Sequence, residues 1–343
     1  MLKALVAELE LRKKELLGHS IETIYFGGGT PSLLSNGELQ IVLDQIHKNY
    51  QVVAAPEITL EANPDDLSKE RLVELSKTPI NRLSIGIQSF FDEDLKSMNR
   101  AHTAAEAKAC LKTASKFFDN ITIDLIYGIP EMSLERWRQN LQKAFDFGVP
   151  HISSYALTVE PKTALDSFIK KGSYPPMDEA LALEHFDLLV SETQKQGFVQ
   201  YEISNFGKQH YFSKHNTCYW QGKPYIGIGP SAHSFVGNQR SWNVANNTKY
   251  IQAIEQSERP STVETLSKDD QFNEYIMTGL RTIWGVSLQH VQSQFGVDYK
   301  NTVIATSRKF IDKNLLQLEG DKFVVTKKGK FLADGIAAAF FVV

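Results

Sequence analysis

The fold of this chain is decided by one stretch, Ile21-Glu-Thr-Ile-Tyr-Phe-Gly-Gly-Gly-Thr-Pro-Ser32. Its first half alternates in polarity as a β-strand does, and three glycines and a proline end that strand abruptly. Glycine at Gly27, Gly28 and Gly29 permits positive φ and leaves no Cβ, so a ligand can lie directly on the backbone. Free N–H groups in such a loop suit a carboxylate or a phosphate. The stretch therefore predicts either a tight strand-to-helix turn or a loop that binds an anion.

Composition indicates a soluble globular protein: 343 residues, 42% hydrophobic, 22% charged, with a formal net charge of −3. Such a charge gives no general reason to expect a nucleic acid or a membrane as partner. The apolar tail from Ile336 to Val343 is too short to cross a bilayer, so we expect it to dock on the protein. Cys110 and Cys218 are the only cysteines, which excludes a disulfide framework and favours the cytoplasm.

The first half of the chain repeats a strand followed by a helix. The patterns predict strands at 23–26, 57–61, 82–88, 121–125 and 152–156, and helices at 35–48, 68–77, 104–117 and 133–147. Strands that recur about every thirty residues with helices between them imply parallel βαβ units that curl towards a barrel or partial barrel. The chain opens with a helical pattern at 2–17 that no strand precedes. Either this is an extra helix or a first strand is missing.

The pattern changes after about residue 161. A helix is predicted at 180–196, then a loop-rich segment to residue 242, then helices at 270–282, 287–295 and 299–313 and two short strands around Gly320-Asp321. Three helices followed by a hairpin is the order of a winged-helix module. Acidic residues interrupt its basic ones, which favours a structural or lid role over nucleic-acid binding. We predict three domains: 1–170, 171–265 and 266–343.

Polar residues stand where successive predicted strands end. They are Glu61, Gln88 and Asp124, and Tyr155-Ala156 closes the next strand. Each alone could cap a strand or a helix, but an α/β barrel builds its site from the carboxyl ends of its strands. A carboxylate there could accept hydrogen bonds from an ammonium or a ribose, and an arginine could pair with a ligand carboxylate.

Five motifs resemble the successive barrel motifs of radical-SAM proteins, in the branch like oxygen-independent coproporphyrinogen III oxidase. They are Gly-Gly-Gly-Thr-Pro, Glu-Ala-Asn-Pro, Gly-Ile-Gln-Ser-Phe, Met98-Asn-Arg-Ala-His102 and Asp-Leu-Ile-Tyr-Gly-Ile-Pro. The resemblance implies an α/β fold with a partial (β/α) barrel of parallel strands over 1–170. It also implies an S-adenosylmethionine site formed by Gly27, Gly28, Gly29, Thr30, Glu61, Gln88, Arg100, Asp124 and Ala156.

A second motif, His215-Asn-x-x-Tyr-Trp220, is similar to the one that marks HemW-type haem chaperones within this family. The resemblance implies haem as a ligand, with His215 the first candidate for the iron and His233 the second. Cys218 lies at a variable position of the motif. A packing role for His215 stays open, because a histidine beside aromatic residues is more often a hydrogen-bonded packing residue.

The implied function is haem binding and delivery to apo-proteins. The alternatives are oxidative decarboxylation of coproporphyrinogen III and, third, a winged-helix module that binds nucleic acid. The resemblance leaves homodimerisation and peripheral membrane association open, and it identifies no catalytic residue.

The motif that defines the family is absent. Radical-SAM proteins hold a [4Fe–4S] cluster with Cys-x3-Cys-x2-Cys after the first strand, and nothing here has that spacing. Cys110 lies in a helical pattern and is expected to be a small buried hydrophobe. One N-terminal truncation would explain both the missing strand and the missing cysteines, and a family member that has discarded its cluster is the alternative. We therefore expect no cluster and no cleavage of S-adenosylmethionine in this chain, and its classification as an enzyme stays open.

Overall fold

A computed structural model of the chain describes residues 1–158, 164–172, 174–176 and 178–342. The strands are β1 Ile21–Phe26, β2 Val52–Ala62, β3 Arg82–Gln88, β4 Ile121–Tyr127, β5 His151–Ala156, β6 Val199–Gln200, β7 Asn205–Gly207, β8 His233–Val236, β9 Gln239–Asn243, β10 Ser261–Thr265, β11 Val286–Ser287, β12 Leu316–Glu319 and β13 Lys322–Val325. The helices are α1 Leu2–Leu11, α2 Asn36–Asn49, α3 Lys69–Leu75, α4 Asp92–Ser97, α5 Ala104–Ala114, α6 Leu134–Asp146, α7 Ala164–Lys170, α8 Glu179–Lys195, α9 Lys214–Trp220, α10 Asn247–Glu255, α11 Lys268–Leu280, α12 Leu288–Phe295, α13 Val297–Ile311 and α14 Ala333–Ala338.

The largest sheet has seven strands in the order β1-β2-β3-β4-β5-β7-β6. Strands β2 to β5 are parallel to one another, whereas β7 pairs antiparallel with β5 and with β6. Every residue of β3 is buried, as expected of a central parallel strand whose faces are covered. The predicted α/β fold with parallel strands of the partial-barrel type is confirmed, and the five predicted strands are all present.

Helix starts follow local capping chemistry. Ser35 and Thr103 each accept a hydrogen bond from the backbone N–H of the third helical residue, Glu38 or Glu106, whose carboxylate accepts one from the backbone N–H of the cap residue. Ser68 and Ser133 cap α3 and α6 through the hydroxyl alone. These caps orient the helices that follow the strands, and so they help to align the strand ends.

The chain divides into two compact units. One comprises Met1–Ile24, Leu34–Glu57 and Lys214–Val343, and the other comprises Tyr25–Leu33 and Ile58–Ser213. The units are discontinuous in sequence because β1 and β2 each run from one unit into the other. The division into domains 1–170, 171–265 and 266–343 stays a prediction.

Two local predictions were wrong. The first helix ends at Leu11, because Arg12 leaves helical geometry and turns follow to residue 18. The segment predicted to be loop-rich contains the helix α9 and two strands, β8 and β9, joined by a turn at Gly237 with φ +64°. These two strands form an antiparallel sheet with β10, which pairs with β9.

In the C-terminal part, the predicted order of three helices and a hairpin is confirmed: α11, α12 and α13 precede β12 and β13. Strands β12 and β13 pair antiparallel, and β11 adds a third strand against β13. The core of this part includes Phe272, Val291 and Phe323, together with Ile336 and Phe340 from the apolar tail. The tail therefore docks as predicted. Among the helices of the described residues, none has the length and apolar content needed to cross a bilayer.

Candidate functional site

The glycine loop after β1 is held open by a carboxylate from β2. Gly28 and Gly29 have φ of +75° and +64°, and a Cβ on either would meet open space. Glu61 accepts hydrogen bonds from the Gly28 N–H at 3.0 Å and from the Tyr25 hydroxyl at 2.6 Å. A Cβ on Gly27 would lie 2.5 Å from the Tyr25 ring, so that position admits only glycine without rearrangement. Loop and carboxylate thus form one small assembly.

Asp124 on β4 belongs to the same assembly. Burial, and next the nearby Glu61 carboxylate, raise the pKa of Asp124 to about 7. Burial and the same two carboxylates raise the pKa of the Tyr25 hydroxyl, and burial with Asp124 raises the pKa of Tyr155 to about 12. A buried carboxyl group beside a second carboxylate attracts a cation or a hydrogen-bond donor. The structure therefore brings Glu61 and Asp124 to one place.

Gln88 and Arg100 supply the polar groups beside these acids. Gln88 is buried at the end of β3 with φ +65°, and Arg100 donates from Nη2 to Asn63 Oδ1 at 2.7 Å. A Cβ on Gly86 would lie 2.9 Å from Gln88 Nε2 and 3.4 Å from Arg100 Nη2, so both side chains pass over this glycine. Within the described residues, Gln88 Oε1 and Arg100 Nε are buried without a hydrogen-bond partner. Such groups are available to a ligand.

We call Gly27–Gly29, Glu61, Gln88, Arg100 and Asp124 the strand-end site. Of the other residues predicted for it, Ala156 is half-buried at the end of β5 and Thr30 is exposed. In the described part of the chain no hydrogen bond joins either of them to the two acids. Tyr25 and Asn63 were missed as members. Their signal was their position within the quoted motifs, two residues from Gly27 and from Glu61 respectively.

The second candidate region surrounds His215 in α9. The Glu57 carboxylate accepts hydrogen bonds from the backbone N–H groups of Lys214, at 3.1 Å, and His215, at 3.0 Å. Thr23 Oγ1 and His215 Nδ1 share a hydrogen bond of 2.9 Å. The Tyr219 ring meets the imidazole edge-on, with 4.8 Å between ring centroids. We call Thr23, Glu57, His215 and Tyr219 the His215 site.

Two tryptophans lie near the candidate histidines, and each makes a contact through its ring. Trp220, in the same motif, receives the Arg281 guanidinium at 5.4 Å from its ring. His233 is exposed at the start of β8 and stacks on Trp242, with 6.0 Å between ring centroids. No group of three or more His, Cys, Asp or Glu side chains that could hold a metal ion occurs in the described residues.

A buried ion pair supports the segment that precedes His233. Glu8 and Arg12 of the N-terminal part are both buried and lie 3.3 Å apart. Glu8 accepts from Tyr250, Asn243 and the Gly229 N–H at 2.6, 2.7 and 2.8 Å. Arg12 donates to the Gly227 carbonyl at 2.6 Å and to Ser234 at 2.9 Å. This network was missed, since nothing local marks a charge of α1 and a charge just after its end as buried.

Two segments of the chain match known protein families. Residues 3–157 match the Radical SAM superfamily, and residues 266–332 match the HemN C-terminal domain. The protein of Bacillus subtilis (strain 168) named heme chaperone HemW is 32% identical over 325 residues, which span 93% of this chain and 85% of that protein. The chain belongs to the HemW family of radical-SAM proteins.

A further relative and a solved structure are consistent with this family assignment. The heme chaperone HemW of Mycobacterium tuberculosis (strain ATCC 25618 / H37Rv) is 31% identical over 337 residues, 98% of this chain and 84% of that protein. The solved structure of coproporphyrinogen III oxidase (HemN) from Escherichia coli, described as a radical SAM enzyme, superposes with a TM-score of 0.85 over 99% of this chain and 82% of that chain. At 22% identity this match shows that a HemW-family chain shares the fold.

The cysteines of this HemW-family chain do not fit an iron–sulfur cluster. Cys110 is buried, and burial raises the pKa of its thiol to about 12. Burial also raises the pKa of Cys218, in α9. Cluster ligands are thiolates, and three of them must lie around one cubane. Two protonated thiols 108 positions apart in sequence cannot supply that set.

Proposed function

We propose that this protein binds haem and passes it to an apo-protein. Support comes from HemW relatives named heme chaperones and from the His-Asn-x-x-Tyr-Trp motif. The observation that carries the proposal is the hydrogen bond between Thr23 and His215 Nδ1. A histidine that ligates a metal through one ring nitrogen usually donates the other N–H to an oxygen, which sets the tautomer and the ring orientation.

Ligation requires the tautomer in which Nδ1–H donates to Thr23 Oγ1. Nε2 then carries the lone pair that an iron centre accepts. Glu57 holds the first backbone amides of α9, and Tyr219 meets one edge of the imidazole, so the ring is fixed from two sides. When bound, haem supplies the iron centre, and the residues of the His215 site orient the imidazole towards it.

We also propose that the strand-end site binds S-adenosylmethionine. Its groups fit: Glu61 and Asp124 suit an ammonium and ribose hydroxyls, Arg100 suits a carboxylate, and the glycine loop leaves room for close approach. The bound cofactor would supply a sulfonium carrying an adenosyl group. Because the described cysteines do not fit a cluster, we expect binding without reductive cleavage.

A haem titration tests the chaperone proposal. The wild-type chain should shift the Soret band of haem on binding, and His215→Ala should lose that shift while keeping a melting temperature close to wild type. His47→Ala, an exposed histidine in the last turn of α2, is the matched control and should bind as the wild type does. An unchanged spectrum and affinity in His215→Ala would exclude His215 as ligand, and His233→Ala would then be the variant to examine.

Two further measurements separate the alternatives. Coproporphyrinogen III incubated with this chain, reductant and S-adenosylmethionine should not be decarboxylated, because the cluster ligands are missing. Anaerobic reconstitution with iron and sulfide should leave the protein colourless. Stoichiometric iron and sulfide with turnover would contradict the chaperone assignment for this chain and favour the oxidase.

A further inference from the structure

An open cleft of 690 Å³ lies among β9, α10 and β10. Its walls include Trp242, Val244, Lys249, Ala253, Arg259 and Pro260. The volume falls within the range of about 300–1,000 Å³ that is typical of small-molecule sites. All of these residues belong to one compact unit, and none belongs to the strand-end site or the His215 site.

The cleft has a firm aromatic wall. Trp242 lies on β9, where it pairs with His233 of β8 and with Thr262 of β10, so strands flank it on both sides. Its half-buried indole stacks on the His233 ring at an interplanar angle of 27°. A flat indole held in this way presents an apolar surface on which another planar group can stack.

Helix α10 supplies another part of the lining. Tyr250 and Ile254 are buried against Ala4, which fixes the rotation of the helix. Lys249 and Ala253, one turn apart, both line the cleft. The lysine therefore stands over the cleft beside a small residue that leaves space for a ligand.

Charge in the cleft is of one sign. The lining contains the cations of Lys249 and Arg259 and no acid. Arg259 donates to Ser241 at 2.6 Å and to Glu15 at 3.3 Å, while its Nε is buried and has no hydrogen-bond partner in the part of the chain that the structure describes. Over the same residues, no ion pair joins Lys249 to an acid. Arg259 is thus held in position by Ser241 and by an ion pair with Glu15 that offsets part of its charge, and Lys249 is the cation available to a ligand.

We propose that this cleft is a second binding site for a porphyrin, which recognises the macrocycle and its carboxylates rather than the iron. A planar apolar ring on the indole and carboxylates at Lys249 and Arg259 match the two chemistries of the cleft. The choice of a porphyrin among flat carboxylated ligands rests on the proposed haem function. The flat shape and the negative charge follow from the cleft alone.

Metal-free protoporphyrin IX is the probe, because it cannot report iron ligation. We expect it to bind the wild type, to bind Lys249→Glu about fivefold more weakly and to bind Trp242→Ala about tenfold more weakly. Lys116→Glu makes the same charge change at an exposed lysine outside the cleft and should bind as the wild type does. The dimethyl ester of protoporphyrin IX should bind the wild type and Lys249→Glu alike. Each variant's melting temperature identifies any loss caused by misfolding.

Equal affinity of protoporphyrin IX for the wild type, Lys249→Glu and a folded Trp242→Ala would contradict the proposal that the cleft binds a porphyrin. Equal affinity of the wild type for the free acid and the dimethyl ester would overturn the recognition of carboxylates. Haem titrations of these variants and of His215→Ala separate the proposed porphyrin site in the cleft from the proposed haem ligation by His215. If His215→Ala loses haem binding while the cleft variants still bind protoporphyrin IX as the wild type does, only the proposed porphyrin site in the cleft is contradicted. If His215→Ala still binds haem while Lys249→Glu binds both haem and protoporphyrin IX more weakly, the porphyrin site in the cleft is supported and iron ligation by His215 is contradicted.

Discussion

The strand-end site and the His215 site are built in different ways. In the strand-end site, Glu61 and Asp124 follow different strands of a parallel sheet, and the topology brings them to one edge. In the His215 site a seven-residue helix is held by two hydrogen-bond partners, Glu57 and Thr23, that are distant in sequence. The first site follows from the repeat of the fold, whereas the second depends on individual long-range contacts.

This difference predicts how each site responds to substitution. Residues of the strand-end site should tolerate replacement without unfolding, since the sheet positions them and their loss changes ligand affinity. The unit that holds the His215 site should be more sensitive at residues such as Glu8, because single buried side chains there join segments that are distant in sequence. The four predictions below test this contrast in order of decreasing expected effect.

Glu8→Ala should destabilise the protein by about 3 kcal/mol, because three buried donors, on Tyr250, Asn243 and Gly229, lose this acceptor. The buried Arg12 also loses one of its two carboxylate partners and keeps Glu15 at 2.7 Å. Urea unfolding followed by circular dichroism measures the loss. Glu10→Ala removes a half-exposed carboxylate of the same helix and should leave the urea midpoint close to that of the wild type. Equal midpoints for the two variants would show that the buried pair does not support this unit.

Glu61→Gln should weaken binding of S-adenosylmethionine about tenfold or more, because the neutral amide loses a charge-assisted hydrogen bond to a cationic ligand. Isothermal titration calorimetry measures the affinity, and Glu22→Gln at an exposed position is the control. The thermal midpoint of Glu61→Gln should stay near that of the wild type. A large fall in midpoint would contradict the view that the sheet alone positions this site.

Thr23→Val should weaken haem binding about tenfold, because the valine cannot accept the Nδ1–H that sets the imidazole tautomer. Thr23→Ser keeps the hydroxyl and should retain most of the affinity. Soret titrations of both variants provide the comparison. If valine and serine variants bind equally well, the hydroxyl plays no part in orienting His215.

Asp124→Asn should change the pH dependence of stability. The folded-state pKa of Asp124 is raised to about 7, so its contribution to stability is complete below about pH 4 and is lost as the pH rises through 7. The asparagine variant does not ionise and should melt about 2 °C above the wild type at pH 8 and close to it at pH 4. Calorimetric scans at the two pH values measure the difference, and parallel melting curves at both would refute the raised pKa.

Much of the fold could be read from local patterns. Alternating polarity with a break at Gly27 located β1, and the same reasoning located the carboxyl ends of the next four strands to within two residues, although β2 begins five residues before its predicted start. The positions of Glu61 and Asp124 followed from those strand ends. Helix α9 and strands β8 to β10 were missed, because they are short and their polarity pattern is weak.

What the sequence by itself determined is the periodic part: which strands form, where they end and which polar residues stand at those ends, since each depends on neighbours a few residues away. Only the tertiary structure decided the pairings that join distant positions. Glu57 meets His215 across 158 positions, Thr23 meets His215 across 192, and Glu8 meets Tyr250 across 242. Such hydrogen bonds form once the sheet and helices have packed, and the residue types involved are equally at home on a surface, so no local signal distinguishes them.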